Sequence, residues 1–148
     1  MTGEVVVDTN VLIYAYGGGD RGKQMKALEL LDRLVRGRRC VLPAQVLAEF
    51  FVVSVRKGVP PFTAEQAGDR IEALCQVCRV IDLSSQIVQE AVRGVVSHIL
   101  SYWDAQIWAA ARLNQIPIVV SEDFSHGSRV GGVTFLNPFH PDFDIGDL

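Results

Sequence analysis

VVVDTNVLIYAY, residues 5–16, is the stretch on which the fold turns. With Glu4 in front of them, Val5, Val6 and Val7 form a short β-branched run of the kind that fills a strand buried on both faces. Asp8, Thr9 and Asn10 interrupt it with turn- and cap-forming side chains, and the apolar residues that resume at Val11 read as a helix. A strand, a polar turn and a helix open a parallel α/β unit, and the polar residues stand at the strand's carboxyl end.

The pattern repeats along the chain. Gly17, Gly18 and Gly19 break the first helix, and flexibility is the expected role of that stretch, which lacks the spacing of a phosphate-binding loop. From about Asp20 a second helix carries Met25, Leu28, Leu31, Leu34 and Val35 at helical spacing, closed by Arg36 to Arg39. Cys40 to Leu42 make a second strand, stopped by Pro43 at the start of a helix that runs to about Lys57. After the breaker at Gly58 to Pro61, Thr63 and Gln66 have capping-box spacing and open a helix through Ile71 and Leu74. Val80 and Ile81 belong to a third strand. Ser84 or Ser85 caps the next helix, with Ile87, Val88, Ala91, Val92, Val95 and Val96 expected on its inner side. Ser101 starts another, from Tyr102 to about Gln115; Ile118 to Val120 form a fourth strand, and Val133 to Leu136 a last short one.

Short apolar strands alternating with helices predict a three-layer α/β/α sandwich around a short, mainly parallel central sheet. The 148 residues suit one domain spanning 1–148, with a loosely packed tail expected over 137–148. An apolar content of 49% against 21% charged excludes a disordered chain. No apolar run approaches the roughly 18 residues that span a bilayer, and the opening MTGEVVVDTN lacks a basic and apolar signal region, so the expected location is the cytoplasm. Cys40, Cys75 and Cys78 are read as buried, reduced thiols, because the C-x-x-C pair has no second pair to complete a zinc site. A net charge of -3 argues against coating nucleic acid nonspecifically, yet leaves room for a nuclease whose acidic centre is offset by cations.

Four acids carry the chemistry. Asp8 follows the first strand and Asp123 the fourth, where open parallel sheets place ligands. Glu49 interrupts the apolar helix AQVLAEFFVVSV, a costly place for an unpaired carboxylate unless it faces a metal, a partner or water. Asp104 is the third residue of the helix capped by Ser101. Singly, each has a bland reading as a turn, cap or solvent-facing residue. Together, four acids without a cation would repel one another, whereas hard oxygen ligands suit Mg²⁺ or Mn²⁺.

In four segments the chain resembles the PIN-domain nucleases, and within them the VapC-type toxins of toxin–antitoxin modules: VVVDTNVLIYAY, LPAQVLAEFF, LSYWDAQIWAAA and IVVSEDFSHG, in that order and over nearly the whole chain. The resemblance implies that Asp8, Glu49, Asp104 and Asp123 are the catalytic metal-site acids, with Glu122 a further candidate beside Asp123. It also implies that Thr9, Asn10 and Ser121 hold those acids by hydrogen bonds. The implied activity is a Mg²⁺- or Mn²⁺-dependent endoribonuclease hydrolysing RNA phosphodiester bonds, inhibited by a cognate VapB-like antitoxin and working as a homodimer without a membrane. Apolar positions within residues 11–16 and 50–55 would serve those interfaces or the core. No histidine is needed, so His98, His126 and His140 are read as structural or solvent-facing. The arginines Arg33, Arg36, Arg38 and Arg39, with Arg56 and Lys57, are the basic clusters that would meet RNA or remain a solvated face.

Two other aspartate-based classes do not fit. A haloacid-dehalogenase phosphotransferase needs a second aspartate where Asn10 stands, and a receiver domain needs its acceptor on a later strand with a downstream lysine. The rival reading is a noncatalytic PIN-like module acting through protein or RNA binding.

Overall fold

Asp8 lies where the chain passes from β1 (Val5–Val7) into α1 (Thr9–Ala15), and the remaining architecture supports that junction. The structure, a computed structural model, describes residues 3–148; residues 1 and 2 of the expected domain lie outside the described residues. The elements that follow are α2 (Arg21–Arg36), β2 (Cys40–Pro43), α3 (Ala44–Lys57), α4 (Ala64–Val77), β3 (Arg79–Ile81), α5 (Ser85–His98), α6 (Tyr102–Leu113), β4 (Ile118–Val120), β5 (Arg129–Val130) and β6 (Val133–Leu136). A 3₁₀ turn, Ile145–Asp147, comes last.

The sheet order is β3-β2-β1-β4-β6-β5, parallel except for the antiparallel pair of β5 and β6. Val6 sits between Val41 of β2 and Val119 of β4. From β1 the chain steps outward to β2 and β3, then returns to the far side of β1 at β4. Right-handed crossovers therefore put α1 to α4 on one face and α5 and α6 on the other, as the packing of α1 on α2 and α3, of α3 on α4, and of α5 on α6 reflects. The sandwich has the three layers expected. The reversal of direction at β1 opens a crevice beyond the carboxyl ends of β1 and β4, the usual ligand position in such sheets.

Val5, Val6 and Val7 are fully buried, as a central strand covered on both faces must be. Thr63 and Gln66 form the capping box at α4, and Ser84 rather than Ser85 caps α5. The inner face of α5 differs from the expected one. Ile87 and Ala91 are buried, but Val92, Val95 and Val96 are exposed, and Glu90 and Gly94 take their place. Glu90 can be buried because Arg93 and, from α6, Arg112 donate to its carboxylate. Gly94 is there because Trp108 of α6 is pressed against it: a Cβ on Gly94 would lie 2.7 Å from the indole ring. On α2, likewise, Ala27, Leu30, Leu31 and Leu34 face the core, while Met25 and Leu28 are exposed.

The tail is packed, contrary to the sequence reading. Leu148 is buried, and Phe139, Phe143 and Ile145 pack against the core. Phe139 also meets the ring of Tyr14 edge-on, 5.1 Å between centroids. His126 and His140 stack at 4.7 Å, and their Nδ1 atoms accept from the backbone N–H groups of Asn137 and Asp142. Both histidines are structural, tying the loop after β4 to the tail. Cys40 and Cys78 are buried free thiols, but Cys75 is exposed. Of the residues considered for interfaces, Val11, Leu12, Ala15 and Phe50 are core, while Phe51 and Val52 reach the surface. Among the described residues no helix is long and apolar enough to cross a membrane.

Candidate active site

The crevice is a cleft of about 320 Å³ lined by Asp8, Glu49, Asp104 and Asp123, together with Thr9, Asn10, Ile13, Tyr14, Gly18, Gln45, Val53, Trp103, Ile107 and Glu122. Four acids from four segments therefore share one wall-to-wall space: Asp8 from the β1–α1 junction, Glu49 from α3, Asp104 from α6 and Asp123 from the loop after β4. They come from both helical layers and meet only above the sheet.

Asp8 is the N-cap of α1. Its Oδ1 accepts from the Thr9 N–H at 2.7 Å and its Oδ2 from Ser121 Oγ at 2.7 Å. Ser121 is fully buried, and its oxygen also accepts from the Asp123 N–H at 3.1 Å, so one hydroxyl links two of the acids. Asn10 ties α1 to the same loop. Its Nδ2 donates to Ser121 Oγ and Asp123 Oδ2, each at 3.3 Å, and its Oδ1 accepts from the Glu122 N–H at 3.2 Å. Thr9 Oγ1 donates to Glu49 Oε2 at 3.1 Å. The side chains of Thr9, Asn10 and Ser121 thus each hydrogen-bond to one of the acids.

A second set of contacts was not anticipated. Tyr102 OH donates to Gln106 Oε1 at 2.8 Å, Gln106 Nε2 to Gln45 Oε1 at 2.7 Å, and Gln45 Nε2 to Glu49 Oε1 at 2.6 Å. This chain of donors crosses from α6 to α3 and ends on the Glu49 carboxylate. Its spacings were visible, since Gln45 and Glu49, like Tyr102 and Gln106, are i and i+4 on one helix face. The link between the two helices exists only in the folded chain.

Glu122 turns to a different partner. Its carboxylate accepts from Lys23 Nζ at 2.5 Å and from Tyr14 OH at 3.1 Å, at the rim of the cleft. Among the described residues, none of the other four acids forms an ion pair with lysine or arginine. Their charges are consequently uncompensated. Burial pushes the Asp8 carboxyl up to about 6, against the bonds from Ser121 and Thr9, and the charges of Asp123 and Glu49 add to the rise. Burial and then the charge of Asp104 raise Asp123 as well.

A divalent cation would relieve that repulsion, and the donors are hard carboxylate oxygens suited to Mg²⁺ or Mn²⁺. Among the described residues no group of three or more acidic, histidine or cysteine side chains stands close enough together to hold a metal ion. The fit to a cation is therefore one of donor chemistry, hard oxygens lining one cleft, and not of a formed ligand group.

The densest basic cluster lies elsewhere. Arg33 and Arg36 are in the last turn of α2, and Arg38 and Arg39 immediately precede β2, so all four sit at the amino end of the sheet, away from the cleft. Arg39 is buried with Nε donating to Gly3 O at 2.7 Å, and Arg36 pairs with Asp32. These contacts are structural or solvated.

The family model for the PIN domain matches residues 5–128, a span that includes all four acids. The chain belongs to the PIN domain family. No curated protein matches it significantly in sequence. Among solved structures, PIN-fold similarity extends to a toxin–antitoxin complex from Klebsiella pneumoniae, 18% identical, with a TM-score of 0.68 over 92% of this chain and 98% of that one. A sarcin–ricin-loop-cleaving VapC toxin from Mycobacterium tuberculosis is 20% identical, with a TM-score of 0.60 over 78% of this chain and 87% of that one. A DNA-bound VapBC complex from Salmonella typhimurium is 17% identical, with a TM-score of 0.63 over 90% of this chain and 96% of that one. At these identities the likeness is one of fold.

Proposed function

We propose that this PIN domain is a Mg²⁺- or Mn²⁺-dependent endoribonuclease of the VapC type, the toxin of a toxin–antitoxin pair. In this reading it acts in the cytoplasm as a homodimer, is held inactive by a VapB-like antitoxin, and hydrolyses RNA phosphodiester bonds. The observation that carries the reading is the convergence of four unpaired carboxylates on one cleft at the β1–β4 switch point. Solved toxins and toxin–antitoxin complexes with the same fold support the partner and the substrate class.

Bound Mg²⁺ or Mn²⁺ supplies Lewis acidity toward water and toward phosphate oxygens. Asp8, Glu49, Asp104 and Asp123 would hold it. Ser121 and the Thr9 N–H fix both oxygens of Asp8, which leaves that carboxylate little freedom to rotate. Thr9 and Gln45 do the same for Glu49. Asn10 keeps the Asp123 loop against α1. This prior ordering of the acids is the protein's own contribution to catalysis.

The test is cleavage of a pool of structured RNAs by purified protein with Mg²⁺ or Mn²⁺, with chelator, and with a folded Asp8→Asn variant. Metal-dependent cutting that disappears in the variant is expected. Well-folded, metal-supplied protein without bound inhibitor that cuts nothing would favour the noncatalytic module.

A further inference from the structure

A cleft walled by carboxylates must still accept a polyanion, and among its described lining residues there is no lysine or arginine. Among the described residues the lysine that hydrogen-bonds to the lining is Lys23, in the first turn of α2. Its ammonium donates to Glu122 and, at 3.3 Å, to Tyr14 OH, and both of these residues face the cleft. It also lies over two aromatic rings, 4.8 Å from the centroid of Tyr14 and 5.4 Å from that of Phe139. The Lys23 side chain remains one-third exposed, so its charge is not sealed from solvent.

We propose that Lys23 is the backbone-phosphate contact of the RNA strand at the rim of the cleft, and that Glu122 is its resident counter-ion, displaced when the phosphate arrives. The proposal rests on the ribonuclease reading of the site. Three features support it. Glu122 is anchored through its backbone to Asn10, beside Asp123, so Lys23 is held next to the acid cluster and not at a remote surface. The aromatic shelf of Tyr14 and Phe139 restricts the lysine stem while leaving the ammonium at the cleft edge. A partly exposed ion pair is weak, and a backbone phosphodiester presents the same single negative charge on two acceptor oxygens, so exchange of one anion for the other is energetically accessible. The arrangement also accounts for a glutamate adjacent to Asp123 that bonds to a lysine instead of joining the acids.

The proposal predicts effects of opposite sign at the two ends of one ion pair. Lys23→Met should raise KM for a short fluorescent single-stranded oligoribonucleotide roughly tenfold, as expected for one lost charge-assisted bond, with kcat little changed. In an Asp8→Asn background, which binds without cutting, the same change should reduce the slope of log K against log salt by about 0.7. Glu122→Gln should lower KM by up to about fivefold by freeing the lysine. That gain should vanish in the double variant Lys23→Met/Glu122→Gln. A gain that persists in the double variant would mean that Glu122 acts only through the cleft's net charge, and would overturn the proposal. So would an unchanged KM and salt slope in Lys23→Met. If wild-type protein neither binds nor cuts RNA with metal present, the ribonuclease reading itself fails, an outcome distinct from normal activity that is indifferent to Lys23.

Discussion

Gln106 Nε2 donates to Gln45 Oε1 at 2.7 Å, and with the bond from Gln45 Nε2 to Trp103 O at 3.3 Å it joins the two helical layers beside the acid cluster. Gln106 is buried, and it receives the Tyr102 hydroxyl on its other side, so its amide can point only one way. Gln45 is then obliged to present its N–H₂ to Glu49. Glu49 on α3 is thereby coupled to α6, the helix that carries Asp104.

Gln106→Leu conserves size but removes both bonds. It leaves Gln45 Oε1 without its donor, at an expected stability cost of about 1–3 kcal/mol. With Gln45 then held only through its Nε2 by Glu49 and the Trp103 carbonyl, the hold on Glu49 loosens, and metal affinity measured by calorimetry should fall, by up to about 10–100-fold. Tyr102→Phe removes only the outer link and should change affinity little. Equal metal affinity in wild type and Gln106→Leu would show that Thr9 alone suffices to hold Glu49.

The raised pKa of Asp8 makes a prediction for the metal-free protein. Unfolded, this carboxyl loses its proton near 3.8; folded, it keeps it to about 6. Between those values the folded state binds more protons, so the group's contribution to stability falls as pH rises through the window and stays lost above it. In chelator, the stability of wild type relative to Asp8→Asn should therefore drop by up to about 3 kcal/mol between pH 4 and pH 7. Adding Mg²⁺ at pH 7 should recover stability in wild type more than in the variant. Denaturant titrations at the two pH values check this, and a flat difference would mean that the buried carboxylate carries no desolvation cost.

Much of the fold was readable because short apolar strands and strong caps leave few alternatives: VVV and IVV admit no amphipathic helix, and Thr63 with Gln66 fixes where α4 begins. The inner face of α5 was not readable. Ile87, Val88, Ala91, Val92, Val95 and Val96 make two adjacent apolar rows, and hydrophobicity cannot choose between them. The choice is made by Arg112 and Trp108 on a neighbouring helix, which favour the row containing Glu90 and Gly94. The two-residue β5 is too short to have a period. The tail looked loose because its apolar residues are scattered among prolines and aspartates, and only contact with the core shows Leu148 to be an anchor. In the candidate site, the acids stood out as charges near strand ends and in an apolar helix. Glu122 and Asp123 are adjacent with the same charge, and only Lys23 across the cleft rim tells them apart.

Gly94 and Gly68 provide a paired test of the α5–α6 contact, because the same substitution should have opposite signs at the two helix positions. At Gly94 an added Cβ meets Trp108 at 2.7 and 2.9 Å. The indole cannot yield easily, since it is buried and its Nε1 donates to Val130 O at 2.9 Å. Gly94→Ala should therefore destabilise the protein by roughly 1–2 kcal/mol, with the overpacking penalty exceeding the helix-propensity gain of alanine. At Gly68, in the interior of α4, nothing lies within 4 Å of the new Cβ. Gly68→Ala should consequently stabilise by about 0.4–1 kcal/mol through helix propensity and a less flexible unfolded chain. Denaturation midpoints that moved in the same direction for both variants would contradict the tight packing of α5 on Trp108.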